Sequence, residues 1–282
     1  MPALETHQLD VAVREAAQRL KELNFVSPEV LLLLGTGAED IVPLLEDAQS
    51  LQLDEVPGAP SAWSSSTLMS GKLAGVRVWV CEDILGHTAS SWDRAWPVWL
   101  SRHCGAGRAL ITTGASPLPQ ASPPCSGEGL FIAQDHLMLE ASTPLCSLGA
   151  SKLGPLFPDQ GAVHDSAVIK GLKEAADSVG LPCQQGVLAC ITGPALETPA
   201  EQAYHALAGA HATAQNIGGV FHAMAHSGLS GVTLAALLGD ETATVEDLVA
   251  TAQRLAPSLH ELILSATALL AVNARAGAHE QL

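Results

Sequence analysis

The sequence predicts an α/β fold, a mixed β-sheet flanked by helices. Short apolar runs rich in aliphatic and β-branched residues alternate along the chain with longer segments of helical periodicity. This alternation is typical of a parallel or mixed sheet covered by helices. With 48% hydrophobic residues, the 282-residue chain can bury a large core. Neither internal repeats nor low-complexity tracts appear, so we expect a single domain spanning residues 1–282.

The elements can be placed one after another. Apolar residues between Leu9 and Leu23 recur at the spacing of one helical face and predict a first helix over residues 9–23. The leucine run Val30–Leu34 then predicts the first strand. Further strands are predicted at residues 76–81, 109–112, 130–133, 187–192 and 231–238. Further helices are predicted at residues 92–103, 165–179, 198–208, 219–227 and 245–273.

Two segments within this series need a separate interpretation. Residues 116–125 are rich in proline and serine and predict a loop between strands, since strands flank them closely. Trp92, Trp96 and Trp99 form a helical stripe that favours packing in the core or between subunits over a substrate platform.

The charge of the chain excludes several classes of partner. The 29 acidic and 13 basic side chains give a net charge of −16, whereas nucleic acids and anionic membranes need clustered lysine and arginine. We therefore expect no nucleic acid and no membrane as partners. Residues 1–10 show no secretory signal, and the six cysteines show no CxxC spacing. Both observations predict a cytoplasmic protein with free thiols.

The turn Gly35-Thr36-Gly37 is a candidate phosphate site. It follows the first predicted strand, and its glycines allow backbone N–H groups and a hydroxyl to approach an anion closely. Glu39 and Asp40 come directly afterwards, where a phosphate-binding loop would favour neutral or basic residues. The turn alone is a weak signal, because a Gly-x-Gly after a strand is more often a plain tight connection.

A second candidate is Glu197, which lies between a predicted strand and a predicted helix. Thr198 and Glu201 have the spacing of a capping box, and helix capping alone explains both. Glu197 precedes the cap, at the carboxyl end of a strand where ligands of open α/β sheets bind. A carboxylate there can accept hydrogen bonds from the ring N–H and exocyclic amine of a heterocycle. His222 and His226 have a metal-ligand spacing, but no third ligand accompanies them, so we expect no metal.

Six short motifs in order resemble the trimeric purine nucleoside phosphorylases of the nucleoside phosphorylase superfamily, over nearly the whole chain. The most specific is Gly-Pro-Ala-Leu-Glu-Thr at residues 193–198. The other five are Gly35-Thr36-Gly37, Gly86-His87, Asp135-His136, Phe157-Pro158-Asp159 and the His-Ser-Gly-Leu of residues 226–229.

The resemblance implies a phosphorylase/hydrolase-like fold, a homotrimer and a role in purine salvage. It also implies a glycosyltransferase reaction in which orthophosphate, as co-substrate and without a cofactor, cleaves the N-glycosidic bond of a purine nucleoside. Free base and pentose 1-phosphate are the products. His87 and Glu197 are implied as catalytic residues, with Thr36, His87 and Asn216 binding phosphate. Purine binding is implied for Glu197 together with Gly114 and Ala115.

The same comparison predicts an altered site. Leu85 stands where the family has an arginine, and guanidinium groups bind phosphate bidentately. Ala89 replaces a tyrosine of the ribose pocket, and Leu238-Gly239 replaces a Thr-Asn pair that contacts the base. Three alternatives stay open: a phosphorylase of full or weakened activity, a catalytically silent homologue that binds a nucleobase-like ligand, and an N-glycosidase that uses water.

Overall fold

Six α-helices and nine strands occur in the part of the chain that the computed structural model describes, residues 6–82, 89–146, 148, 151–239 and 243–279. The helices are α1 (Thr6–Glu22), α2 (Ser91–His103), α3 (Ser166–Ser178), α4 (Pro199–Leu207), α5 (Gly218–Ser227) and α6 (Val245–His279). The strands are β1 (Val30–Leu34), β2 (Glu46–Gln52), β3 (Thr67–Leu73), β4 (Val76–Glu82), β5 (Arg108–Pro117), β6 (Gly129–Met138), β7 (Cys183–Ile191), β8 (Ala212–Gln215) and β9 (Ser230–Leu237).

The described strands form one mixed sheet, as the sequence predicts. Their order is β2-β3-β4-β1-β5-β8-β7-β6-β9, and β9 also pairs with β5. This extra pairing closes β5, β8, β7, β6 and β9 into a ring, from which β1, β4, β3 and β2 extend as an open sheet. The parallel pairs β1–β4, β1–β5, β5–β9, β6–β7 and β7–β8 bring several carboxyl ends together.

Strand β1 shows why helices cover both faces of the sheet. Successive side chains of a strand point to opposite faces, and every residue of β1 is buried. Leu31 and Leu33 belong to a core that also contains α1, α2 and α5 residues, among them Trp96 and Trp99. Val30, Leu32 and Leu34 belong to a second core built with α3 and α6. The predicted core packing of the tryptophan stripe is thus confirmed for Trp96 and Trp99.

Three strands, β2, β3 and β8, have no counterpart in the sequence prediction, and β5, β6 and β7 are each at least three residues longer than expected. Strand β2 is polar and buries only Leu51, so it lacks the alternation by which strands are recognised. Strand β8 has only four residues. Strand β5 continues through Ser116 and Pro117, within the predicted loop, because these two residues pair with β8 in antiparallel register.

A histidine cluster lies between β6, α5 and the segment that enters α3. The Nδ1 atom of His136 is 3.1 Å from Nε2 of His164. Both rings pack on Phe221, with ring centroids 4.8 and 5.2 Å away. Burial lowers the pKa of His164 from 6.5 to about 4, with a further contribution from His136.

The N-terminus of α5 is capped by Glu140, a carboxylate from the segment after β6. Its Oε1 accepts a hydrogen bond from the Gly218 N–H at 2.5 Å. Burial raises the pKa of Glu140, while hydrogen bonds from Gly218 and Gly219 and the charge of Arg94 act in the opposite direction. Arg94 is itself 4% exposed.

Within the described part of the chain, no helix combines the length and apolar character needed to cross a bilayer.

Candidate functional site

A cavity of about 260 Å³ opens where the carboxyl ends of β1, β5, β7 and β9 meet β8. This edge is where α/β sheets bind ligands, and the volume lies just below the roughly 300–1,000 Å³ typical of small-molecule sites. Its described lining combines apolar and hydroxyl or amide side chains with one carboxylate, that of Glu197. The lining residues are Thr36, Thr113, Gly114, Ala115, Ser116, Ile191, Leu196, Glu197, Gln202, Thr213, Ala214, Gln215, Leu238, Ala243 and Leu248.

The Gly35-Thr36-Gly37 turn forms one wall of this cavity. The Gly35 N–H donates a hydrogen bond to Oγ1 of Thr112 at 2.8 Å, which fixes the end of β1 against β5. A Cβ at Gly35 would lie 2.7 Å from the Thr112 carbonyl oxygen, so only glycine fits this approach. Gly37 has φ +86°, in the left-handed region. The turn therefore presents Thr36 to the cavity.

Gly114 and Ala115, the predicted purine-binding residues, line the cavity from strand β5 beside the turn, and a Cβ at Gly114 would lie 3.8 Å from Cβ of Thr36. A Cβ at Gly114 would lie 2.6 Å from Cδ1 of Leu238, which shows how closely Leu238 packs on this backbone. The cavity is apolar at this point.

Glu197 is held by two partners from other elements. Its Oε1 is 2.5 Å from Nδ1 of His205, on α4. Its Oε2 accepts a hydrogen bond from the hydroxyl of Thr213, on β8. The Glu197 side chain is only 7% exposed and that of His205 12%, so these contacts replace much of the hydration that the carboxylate would have in water.

The capping box predicted at the start of α4 is present and explains the position of Glu197. The hydroxyl of Thr198 accepts from the Glu201 N–H at 3.3 Å, and Glu201 Oε2 accepts from the Thr198 N–H at 2.7 Å. Hydrogen bonds from the Thr198 backbone and side chain lower the pKa of Glu201. Because the helix begins at Pro199, Glu197 lies just before its first turn and faces the cavity.

Two residues at the end of β8 fasten the loop that carries Glu197. Oδ1 of Asn216 accepts from the Gly193 N–H at 3.1 Å, and Nε2 of Gln215 donates to the Ala195 carbonyl at 2.9 Å. Asn216 has φ +61°, which asparagine tolerates better than most residues. Its described contact is with the loop backbone, and it is not among the cavity-lining residues; its phosphate-binding role stays a prediction.

The phosphate side of the site is described in part. Thr36 lines the cavity, whereas His87 and Leu85 lie outside the described residues. The side chain of Glu39 also lies outside the described part, and Asp40 is exposed on the 3-10 helix Glu39–Leu44. Among the described lining residues there is no lysine or arginine.

The other motifs lie away from the cavity lining. Asp135 is exposed, and His136 belongs to the histidine cluster. Phe157 is 89% exposed. His226 accepts a hydrogen bond at Nδ1 from the Trp99 indole at 3.0 Å, which gives it a place in the core.

Sequence reasoning missed His205, Thr213 and Gln202. Gln202 is buried and lines the cavity from α4. The sequence does contain a feature that points to Gln202 and His205, because both lie on the helix that begins beside Glu197. No sequence feature points to Thr213, because β8 is too short to be recognised from its pattern.

Three comparisons with known proteins agree with this architecture. Residues 29–268 match the model of the phosphorylase superfamily. Purine nucleoside phosphorylase 1 of Geobacillus stearothermophilus is 30% identical over 195 residues, which cover 67% of this chain and 70% of that protein. Purine nucleoside phosphorylase 1 of Bacillus subtilis is 25% identical over 194 residues, with the same coverage.

A solved structure is similar over most of its length. Schistosoma mansoni purine nucleoside phosphorylase in complex with adenosine superposes with a TM-score of 0.79 at 19% identity. The superposition covers 89% of this chain and 94% of that one. At this identity the likeness shows the fold.

Proposed function

Since the chain belongs to the phosphorylase superfamily, we propose that it is a purine nucleoside phosphorylase, a pentosyltransferase. It cleaves the N-glycosidic bond of a purine nucleoside with orthophosphate and releases the free base and pentose 1-phosphate. Both bacterial relatives named above carry this activity in their names.

The observation that carries the proposal is the buried carboxylate of Glu197 at a cavity of suitable size. Negative charge develops on the departing purine, which is a weak leaving group unless hydrogen bonds or protonation stabilise it. Glu197 accepts hydrogen bonds from purine N–H groups and so fixes the base in one orientation. In this proposal Gly114 and Ala115, which line the cavity from strand β5, belong to the purine side.

Phosphate enters on the side of the Gly35-Thr36-Gly37 turn. Thr36 supplies a hydroxyl there, and we assign His87 and Asn216 to the same anion. The anomeric carbon then lies between the anion and the base, as displacement at that carbon requires. Thr36 and Glu197 line the same cavity, which supports this arrangement.

The test is release of free base by the purified full chain from inosine, guanosine and adenosine, each with and without orthophosphate. We expect release that depends on phosphate and is strongly reduced but still measurable in Glu197→Ala. No release under any condition would overturn the proposal. Release that is indifferent to phosphate would instead identify an N-glycosidase.

One observation favours a second candidate, a silent homologue that binds a nucleobase-like ligand. The described cavity lining contains no cation to balance a phosphate dianion. Calorimetric titration with hypoxanthine and, separately, with orthophosphate distinguishes the two. A silent homologue binds the base, does not bind phosphate and shows no turnover.

We also propose a homotrimer located in the cytoplasm, one domain over residues 1–282, and a reaction that needs no metal or cofactor. Light scattering coupled to size exclusion tests the trimer. Dialysis against a chelator tests the absence of a metal requirement, and we expect the activity to survive it.

A further inference from the structure

We infer that His205 is a positioning residue for Glu197, an inference that rests on the proposed function. His205 lies eight positions after Glu197, in the last turn of α4, the helix that directly follows the loop carrying the carboxylate. Its Nδ1 is 2.5 Å from Glu197 Oε1. An ionised carboxylate only accepts hydrogen bonds, so Nδ1 carries the hydrogen and donates it.

The contact fixes the direction in which Glu197 faces. A glutamate side chain has three rotatable bonds, and two donors on two different oxygens remove most of that freedom. Nδ1–H of His205 occupies one position on Oε1, and the hydroxyl of Thr213 occupies one on Oε2. Each oxygen keeps a second lone pair, and these two remain for the ligand.

The surroundings of His205 restrict the movement of its ring. Its side chain is 12% exposed, and Tyr204 packs beside it with ring centroids 5.8 Å apart. The imidazole lies in the last turn of α4. The ring is therefore anchored to a helix, whereas Glu197 is on a loop. A rigid element positions the carboxylate through a partner that does not itself reach the base.

The test compares two variants. Asn places an amide Nδ2–H where His has Nδ1–H, so His205→Asn keeps the donor, whereas His205→Leu keeps bulk and removes it. We expect His205→Leu to lower kcat/KM for the nucleoside about tenfold or more, the effect of losing a hydrogen bond to a charged group. We expect His205→Asn to stay within about threefold of the wild type. His103→Leu, in an exposed histidine of α2, is the control.

Two readouts separate positioning from folding. A variant that is merely less folded loses apparent kcat in proportion and keeps its KM, whereas a displaced carboxylate also raises KM. In a Glu197→Ala background, His205→Leu should cause no further loss. Equal kcat/KM for His205→Leu and the wild type would overturn the inference, as would an additive loss in the double variant.

A further measurement does not depend on turnover. In ¹⁵N-labelled protein, the Nδ1 resonance of His205 should show a bound hydrogen at neutral pH, and an unprotonated Nδ1 would refute the inference. If the wild type neither binds nor cleaves any nucleoside, the proposed function fails, and this resonance still decides whether the pairing exists.

Discussion

The hydroxyl of Thr213 donates a hydrogen bond to Oε2 of Glu197, so strand β8 holds a carboxylate carried by the loop after β7. Thr213 is 2% exposed and lines the cavity. A strand of the ring therefore determines the position of a loop residue that we assign to base binding.

Replacing Thr213 by Val removes the hydroxyl and keeps the shape of the side chain. One oxygen of a buried carboxylate then lacks a donor, a change that costs about 1.5–3 kcal/mol. We expect hypoxanthine to bind about tenfold or more weakly, measured by calorimetry. Thr213→Ser keeps the hydroxyl and should bind like the wild type; equal affinity of all three proteins would contradict the assignment.

Gly35→Ala should distort the turn after β1. The added Cβ would lie 2.7 Å from the Thr112 carbonyl oxygen, a backbone atom that cannot move without shifting β5. We expect a loss of about 1–3 kcal/mol in the free energy of unfolding, the usual effect of overpacking, measured by urea denaturation. Gly107→Ala is the control, since its Cβ would meet nothing within 4 Å. Similar losses in both variants would contradict this explanation.

Stability should fall as the pH is lowered from about 6.5 to about 4, because of His164. Its pKa is about 4 in the folded protein against 6.5 for an unperturbed histidine, so in this pH range the unfolded chain binds a proton that the folded protein does not bind. Above pH 6.5 neither state is protonated and the effect disappears. The difference corresponds to a loss of about 3 kcal/mol by pH 4.

Urea denaturation between pH 7.5 and pH 4.5 measures this loss. His164→Gln keeps a nitrogen near His136 and cannot titrate, so its stability should depend less steeply on pH than that of the wild type. His103→Gln, in an exposed histidine, should leave the pH dependence as it is. A His164→Gln curve parallel to the wild-type curve would refute the assignment.

Glu140→Ala should destabilise the protein by about 3 kcal/mol, the effect of breaking a buried charged contact. The change removes the acceptor for Gly218 at the start of α5 and the negative charge beside Arg94. Thermal and urea unfolding at pH 7.5 test this expectation. Glu174→Ala, which removes an exposed carboxylate of α3, should change the stability by less than about 0.5 kcal/mol.

The sequence was sufficient to predict the elements whose side chains repeat with a clear period. Strand β1 is buried on both faces, and its leucine run identified it. Helix α4 was predicted because its capping box is local in sequence. By contrast, β2 is a polar edge strand and β8 is stabilised by its neighbours, so neither has a pattern of its own.

The candidate site also contains residues that local sequence reveals and residues that it does not. Thr36 and Glu197 are recognisable because each lies in a short motif that follows a strand, and both line the cavity. The contact of Glu197 with Thr213 depends on the pairing of β8 with β5 and β7. Pairing between distant segments cannot be read from local sequence.

Closure of the strand ring has a consequence for self-association. A strand whose backbone is unpaired on one side invites pairing with another molecule. Since β9 returns to β5, the edge that the described sheet leaves open is β2. This strand carries Glu46 and Asp47, and its register shifts between Glu46 and Gln49. Acidic side chains and an irregular backbone disfavour pairing between copies, so this edge resists aggregation at high protein concentration.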